Sequence, residues 1–200
     1  MSKGEETKEK ILQQAAELFN QQGYAGSSIS DIMRVTGLQK GGIYNHFKSK
    51  DELALQAFDF AIAQLRQHYL AAVGTKRHAV DRLQAIFDVF RSNIDHPIIK
   101  GGCPLLNTAV ESDDAHPALR KRTQQAMNSW RQLFYRIIQK GIEKGEIRST
   151  VDADQVITII ISTLEGAAMM SKLYGDSIHL ERAINHLTNY IDSQLRISSK

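Results

Sequence analysis

The chain is 200 residues long and has one cysteine, Cys103, so no intrachain disulfide and no cysteine-based zinc site can hold its fold, and a reducing compartment suits it. It lacks a membrane-spanning run. The most apolar stretch, Val156 to Met170, is broken by Thr158, Ser162, Thr163 and Glu165. Met1 to Lys10 is polar, without the apolar centre of a signal peptide. A soluble, cytoplasmic protein is expected. Catalytic signatures are missing too: the seven histidines form no H-E-x-x-H pair, no serine sits in G-x-S-x-G, and Gly41-Gly42 lacks the P-loop pattern. No enzyme activity, cofactor or metal is therefore expected. An excess of one charge is also wanting, with 25 Lys and Arg against 22 Asp and Glu and a net charge of +3. That balance permits a polyanionic partner without demanding one, because charge location matters more than the total. There is no internal repeat, no low-complexity tract and no convincing alternating strand. The length is compatible with a small domain joined to a larger one, and enough surface can be buried for a real core.

What is present centres on Ser27 to Leu53. Ser28, with Asp31 three residues on, is a predicted N-cap, and Ile29, Ile32 and Met33 recur at helical spacing until Gly37, which can end a helix in the left-handed conformation. A second helix is predicted over Leu38 to Phe47. Ile43 and Phe47 share one face of it, while Gln39, Lys40, Gly42, Asn45 and His46 spread over the rest. Asn and Gln can bond adenine in bidentate fashion, Lys can reach guanine or a phosphate, and Gly41-Gly42 lets backbone approach DNA closely. Ser49 and Glu52 then form a capping box that opens a long helix, whose free N–H groups beside Lys50 suit a phosphate.

The remaining chain reads as helices. Residues up to about Thr7 are expected to be loosely ordered, with Lys3, Lys8 and Lys10 available to a DNA backbone. Ile11, Leu12, Ala15, Leu18 and Phe19 then mark a first helix that stops at Gly23. After the helix from Ser49 to about Val73 come Ala79 to Asp95, a brief helix from Pro104 with Cys103 as N-cap, and a long one from Pro117 to Gly145. Asp152 with Gln155 caps a helix that is apolar on nearly every side and ends at Tyr174-Gly175; a last helix runs from about Ser177 to Leu195. About nine helices make the protein all-α.

Ser30-Asp31-Ile32, Thr36-Gly37-Leu38, Lys40-Gly41-Gly42-Ile43-Tyr44-Asn45-His46-Phe47 and Lys48-Ser49-Lys50-Asp51-Glu52-Leu53 stand in order and without gaps. In these residues the chain resembles the DNA-binding domain of the TetR family of bacterial repressors, and Ile11 to Phe19 with Gly23-Tyr24 look like the family's first helix and its end. Gln39 departs from the Ser or Thr usual at the start of the recognition helix, and Gly42 from a small residue with a side chain. The resemblance implies an N-terminal three-helix helix-turn-helix domain, residues 1–48, joined to a larger C-terminal helical domain for effector binding and dimerisation, residues 49–200. It also implies a homodimer through the last two helices, whose surplus apolar surface points the same way.

The expected DNA-binding residues are Ser28, Gln39, Lys40, Gly41, Gly42, Tyr44, Asn45, His46 and Lys50. Phe87, Phe90, Cys103, Asn107, Trp130, Phe134, Glu165 and Met169 are the candidates for an effector pocket. Cys103 reads either as a thiol activated by a helix N-terminus or as a small inert core residue. Gly102-Cys103-Pro104-Leu105 with Asn107 and Glu111 resembles the sixth helix of family members that respond to electrophiles or small acids. Glu165, inside the most apolar helix, needs a polar partner, either structural or a ligand. The functional expectation is a transcriptional regulator, a repressor released from a palindromic double-stranded DNA operator by a small-molecule effector, with the long fourth helix as lever and no membrane partner. The alternative is a helical ligand-binding protein or enzyme with a vestigial DNA-binding domain.

Overall fold

Helix ends in this protein are set by capping chemistry at short range, and the computed structural model, which describes residues 2–197, shows it from the first turn onward. Helix α1, Lys3–Gln22, starts where the Ser2 hydroxyl accepts from Glu5 N–H while the Glu5 carboxylate accepts from Ser2 N–H. That reciprocal cap satisfies two orphan amides, so the segment expected to be loose up to Thr7 is helical instead. Gly23, at φ 79°, ends the helix. Helix α2, Ile29–Thr36, has the predicted Ser28–Asp31 capping box and a left-handed Gly37 at its end.

Helix α3, Lys40–Tyr44, is shorter than the Leu38 to Phe47 expected. Gln39 makes no side-chain capping bond, and two of the five helical residues are glycine, so little local free energy favours extending it. Helix α4, Lys50–Gly74, begins with Ser49 Oγ accepting from Glu52 N–H at 3.0 Å. The Glu52 carboxylate accepts from Lys48 N–H at 2.7 Å, one residue earlier than a standard box would have it.

Helices α5, Ala79–Asp95, α6, Pro104–Ser112, and α7, Pro117–Glu143, follow, then α8, Ala153–Tyr174, and α9, Ile178–Tyr190. Asp152 caps α8 as predicted and left-handed Gly175 ends it. The final helix does not stay α to its end. Ile191–Leu195 widens into a π turn, after which Ile197 N–H donates to the Glu146 carbonyl and Arg148 N–H to that of Leu195. Among the described residues 77% are helical and there are no strands.

The chain groups into two compact units: Met1–Leu65 with Ile98–Ala126, and Arg66–Pro97 with Met127–Lys200. This grouping differs from a single division at Ser49, because the segment after α5 and the helix α6 pack with the N-terminal helices. In the first unit Ile11, Ala15, Leu18, Ile32, Ile43, Phe47, Leu53 and Ile99 form one buried cluster. Each large side chain there contributes about 1.5–3 kcal/mol by leaving water. In the second unit α8 packs on α9 and α5, burying Ile157, Ile160, Leu164, Ile184 and Leu187. Helix α8 is long and apolar enough to cross a membrane by length and composition, yet nearly half of that stretch is buried in the protein. Ile159, Met169, Met170, Leu173 and Tyr174 of the same helix stay exposed in the single chain.

Candidate nucleic-acid interface and effector pocket

The recognition surface is built on two anchors. Ile43 and Phe47, each 1% exposed, fix α3 and the turn after it in the core of the first unit. The other side of the helix is thereby turned outward. Gln39, Lys40, Gly41 and Asn45 are exposed, Tyr44 is exposed too, and Gly42 and His46 are half-buried. Lys40 holds its ammonium 5.8 Å from the centre of the Tyr44 ring, a cation–π contact that draws the two side chains together on this face. Nothing lies within 4 Å of where a Cβ on Gly41 would stand, so that glycine borders open space.

Two of the expected phosphate-binding residues are already engaged. The Ser28 hydroxyl accepts from Asp31 N–H at 3.1 Å and donates to the Asp31 carboxylate at 2.6 Å. The hydroxyl's donation, then that of Ser28 N–H and then that of Arg34, hold the Asp31 carboxyl down at about 2. Lys50 donates from Nζ to the Tyr24 carbonyl at 2.6 Å and lies 4.1 Å from the centre of the Tyr24 ring. Lys50 is therefore held in place, half-buried, at the first turn of α4.

Tyr24 itself is a junction that the linear sequence does not announce. Its N–H donates to Glu111 at 2.9 Å and Ala25 N–H donates to the other oxygen of the same carboxylate at 2.8 Å. Its hydroxyl donates to Asp51, and its ring meets His116 edge-on at 4.8 Å. Desolvation, then the Asp51 contact, pushes the Tyr24 hydroxyl up to about 12. Beside it Asn20 donates to the carbonyls of Lys100 and Gly102 and accepts from Asn107. Asn20, Tyr24 and Glu111 were missing from the expected site because their partners stand up to 87 residues away. A cavity of about 30 Å³ lies next to them, walled by Ala16, Ala57, Ala61, Phe19 and Phe58 among others.

Of the eight expected pocket residues, six lie in the second unit and two, Cys103 and Asn107, in the first. Phe90 and Trp130 stack at 5.6 Å, Phe134 meets Trp130 edge-on at 5.6 Å, and Tyr69 joins both Phe90 and Trp130 at about 6 Å. Phe87 and Phe134 are fully buried and Glu165 is 7% exposed, all in the second unit. Trp130 Nε1 is buried without a hydrogen-bond partner among the described residues. Met169 is 50% exposed and lines no interior. Cys103 and Asn107 belong to the first unit, where Asn107 spends its amide on Asn20 and the Gly101 carbonyl. Cys103 stands at the N-cap of α6 but makes no side-chain capping bond. No group of three or more His, Cys, Asp or Glu poised for a metal occurs among the described residues.

Two short helices meeting at a left-handed glycine, the second offering amide and cationic tips to solvent, followed by a larger set of helices, define a helix-turn-helix DNA-binding protein. Residues 11–57 match the family described as "Bacterial regulatory proteins, tetR family", and residues 79–187 match "Tetracyclin repressor-like, C-terminal domain". The crystal structure of a TetR transcriptional regulator from Chloroflexus aurantiacus is 48% identical, with a TM-score of 0.95 over 99% of this chain and 100% of that one. The HTH-type transcriptional repressor DhaR of Mycobacterium sp. is 26% identical over 82% of this chain and 81% of its own. A cysteine mutant of the TetR-family regulator CifR, solved complexed with 26-bp double-strand operator DNA, shares the fold, with a TM-score of 0.80 at 17% identity over 90% of this chain and 94% of its own. The chain belongs to the TetR family of DNA-binding transcriptional regulators, and its relatives are regulators rather than enzymes.

Proposed function

We propose that this protein is a cytoplasmic repressor that binds a near-palindromic operator as a homodimer and leaves it when a small-molecule effector binds. The observation that carries this reading is the outward face of α3, pinned by Ile43 and Phe47. In it residues 1–48 bind DNA and 49–200 bind effector and partner subunit. Gln39, Lys40, Gly42 and Asn45 face bases, with Gly41 allowing close backbone approach, while Tyr44, His46 and Lys50 hold phosphates. Ser28 reaches a phosphate only by exchanging its bond to Asp31.

A helix of five residues offers few base contacts, and two-fold symmetry doubles them. The exposed apolar residues Ile159, Met169, Leu173 and Tyr174 of α8, with Ile178 of α9, support pairing of those helices with a second copy. Half-sites then lie about 34–36 Å apart, or a multiple of that. The ring cluster of Phe90, Trp130 and Phe134 supports an effector site in the second unit. The effector shifts the equilibrium away from DNA only by its differential affinity for the two states.

Selection of bound duplexes from a random pool tests the reading, with an inverted repeat at that spacing as the expected result. Asn45→Ala should relax preference at particular base pairs, and Lys50→Ala should weaken binding to all sequences. Enrichment of no motif, or equal losses on selected and random DNA for both variants, refutes it.

A further inference from the structure

A chain of polar contacts runs from Glu111 on α6 through the turn at Tyr24 to Lys50 at the start of α4. Both oxygens of the Glu111 carboxylate are spent on consecutive backbone amides, those of Tyr24 and Ala25, at 2.9 and 2.8 Å. The same Tyr24 presents its carbonyl and its ring to the Lys50 ammonium, at 2.6 and 4.1 Å. Room for the carboxylate is provided by Gly23: a Cβ there would stand 2.7 Å from Glu111 Oε1, at a φ of +79° that L side chains rarely adopt. All of these residues lie in the first unit.

We infer that Glu111 is a positioning residue for DNA binding: it fixes the Tyr24–Ala25 turn, and the turn fixes the Lys50 ammonium on the phosphate face. A lysine on a four-carbon stem loses considerable rotamer entropy when it engages a phosphate. Here that ordering is complete before DNA arrives. Charge alone argues for the opposite effect, since a carboxylate near a DNA-binding face repels phosphate and its neutralisation should tighten binding. The two accounts thus differ in sign.

The inference rests on the reading of Lys50 as a phosphate contact, and one experiment separates the two. The probes are a duplex that the wild-type chain selects from a random pool and a random-sequence duplex of equal length, titrated from 50 to 200 mM salt. Lys50→Ala should lower the slope of log affinity against log salt by about 0.9, so that the affinity lost over this fourfold salt range shrinks by about 3.5-fold. Glu111→Gln keeps one acceptor and turns an NH₂ donor toward the second backbone N–H. It should lower the slope by a similar amount on both duplexes and weaken binding at 50 mM salt, and adding it to Lys50→Ala should change nothing further.

Glu111→Asp retains both acceptors with a shorter reach and should restore part of the slope. It carries the test alone if circular dichroism shows Glu111→Gln unfolded, an undiminished affinity and slope in Glu111→Asp then counting against the inference. A wild-type slope or tighter binding in Glu111→Gln overturns the positioning role, as does full additivity with Lys50→Ala. An unchanged slope in Lys50→Ala overturns the phosphate contact and the inference with it.

Discussion

Asn20 is a buried amide that ties three segments together, and changing it to aspartate alters a single atom. Its Nδ2 donates to the carbonyls of Lys100 and Gly102, both at 2.9 Å, while its Oδ1 accepts from Asn107 Nδ2 at 2.9 Å. In Asn20→Asp the Asn107 bond survives. The two carbonyls instead face a carboxylate oxygen. Two part-buried acceptors lose their donor, each at the lower end of about 1–3 kcal/mol, and the carboxylate adds repulsion, so a loss of about 2–4 kcal/mol is expected at pH 7.5. That is a large part of the about 5–15 kcal/mol typical of a folded domain. Burial and the carbonyl dipoles raise the folded pKa of the introduced carboxyl above its unfolded value near ~3.9. The penalty is then small below that unfolded value and grows as pH rises through the folded one, because the protonated acid keeps one O–H donor for a carbonyl. Urea unfolding followed by circular dichroism at pH 7.5 and 4.5, each relative to the wild type, measures both features. Stability within about 0.5 kcal/mol of wild type at pH 7.5 would refute the reasoning, and so would equal losses at both pH values.

Three further outcomes are expected. Gly141→Ala places a Cβ 2.6 Å from that of Ala79 and 2.8 Å from Ile147 Cδ1, so overpacking by about 1–3 kcal/mol should lower the melting temperature, and an unchanged midpoint would show slack between these segments. Leu173→Glu, at a residue 72% exposed on α8, should shift sedimentation from dimer to monomer while helix content holds; an unaltered dimer would place the interface elsewhere. The carboxyl of Asp31 is held down at about 2, so the stability it lends to α2 is present above the unfolded pKa near ~3.9 and is lost as pH falls toward 2. Asp31→Asn should remove that part of the acid dependence, and identical acid profiles for the two proteins would deny the cap this role.

Much of the helical framework could be read locally. The limits of α5 agree with those predicted, Ser28 with Asp31 and Asp152 with Gln155 cap the helices they were expected to cap, and Gly37 and Gly175 take the left-handed conformation that stops α2 and α8. Each of these signals acts within a few residues, so neighbours in the chain suffice to specify it. The start of α1 is equally local, in Ser2 and Glu5, whose reciprocal cap outweighs the general looseness of chain ends. Apolar spacing at Ile43 and Phe47 predicts a longer α3 than the two glycines and an uncapped Gln39 sustain.

By itself the order of residues determined which segments are helical, where most of them stop, and which short helix turns amide and cationic tips outward. Tertiary structure alone decided that Asn107 clasps Asn20, that Glu111 caps the turn at Tyr24, that Lys50 is held there rather than left free, and that the rings at 69, 90, 130 and 134 close on one another while Met169 stays outside. The reason is one of range. A cap or a glycine stop is decided by dihedral angles and hydrogen bonds a few residues apart, whereas a bond spanning 87 residues forms only after both helices have been packed by burial of surface that neither can hide alone.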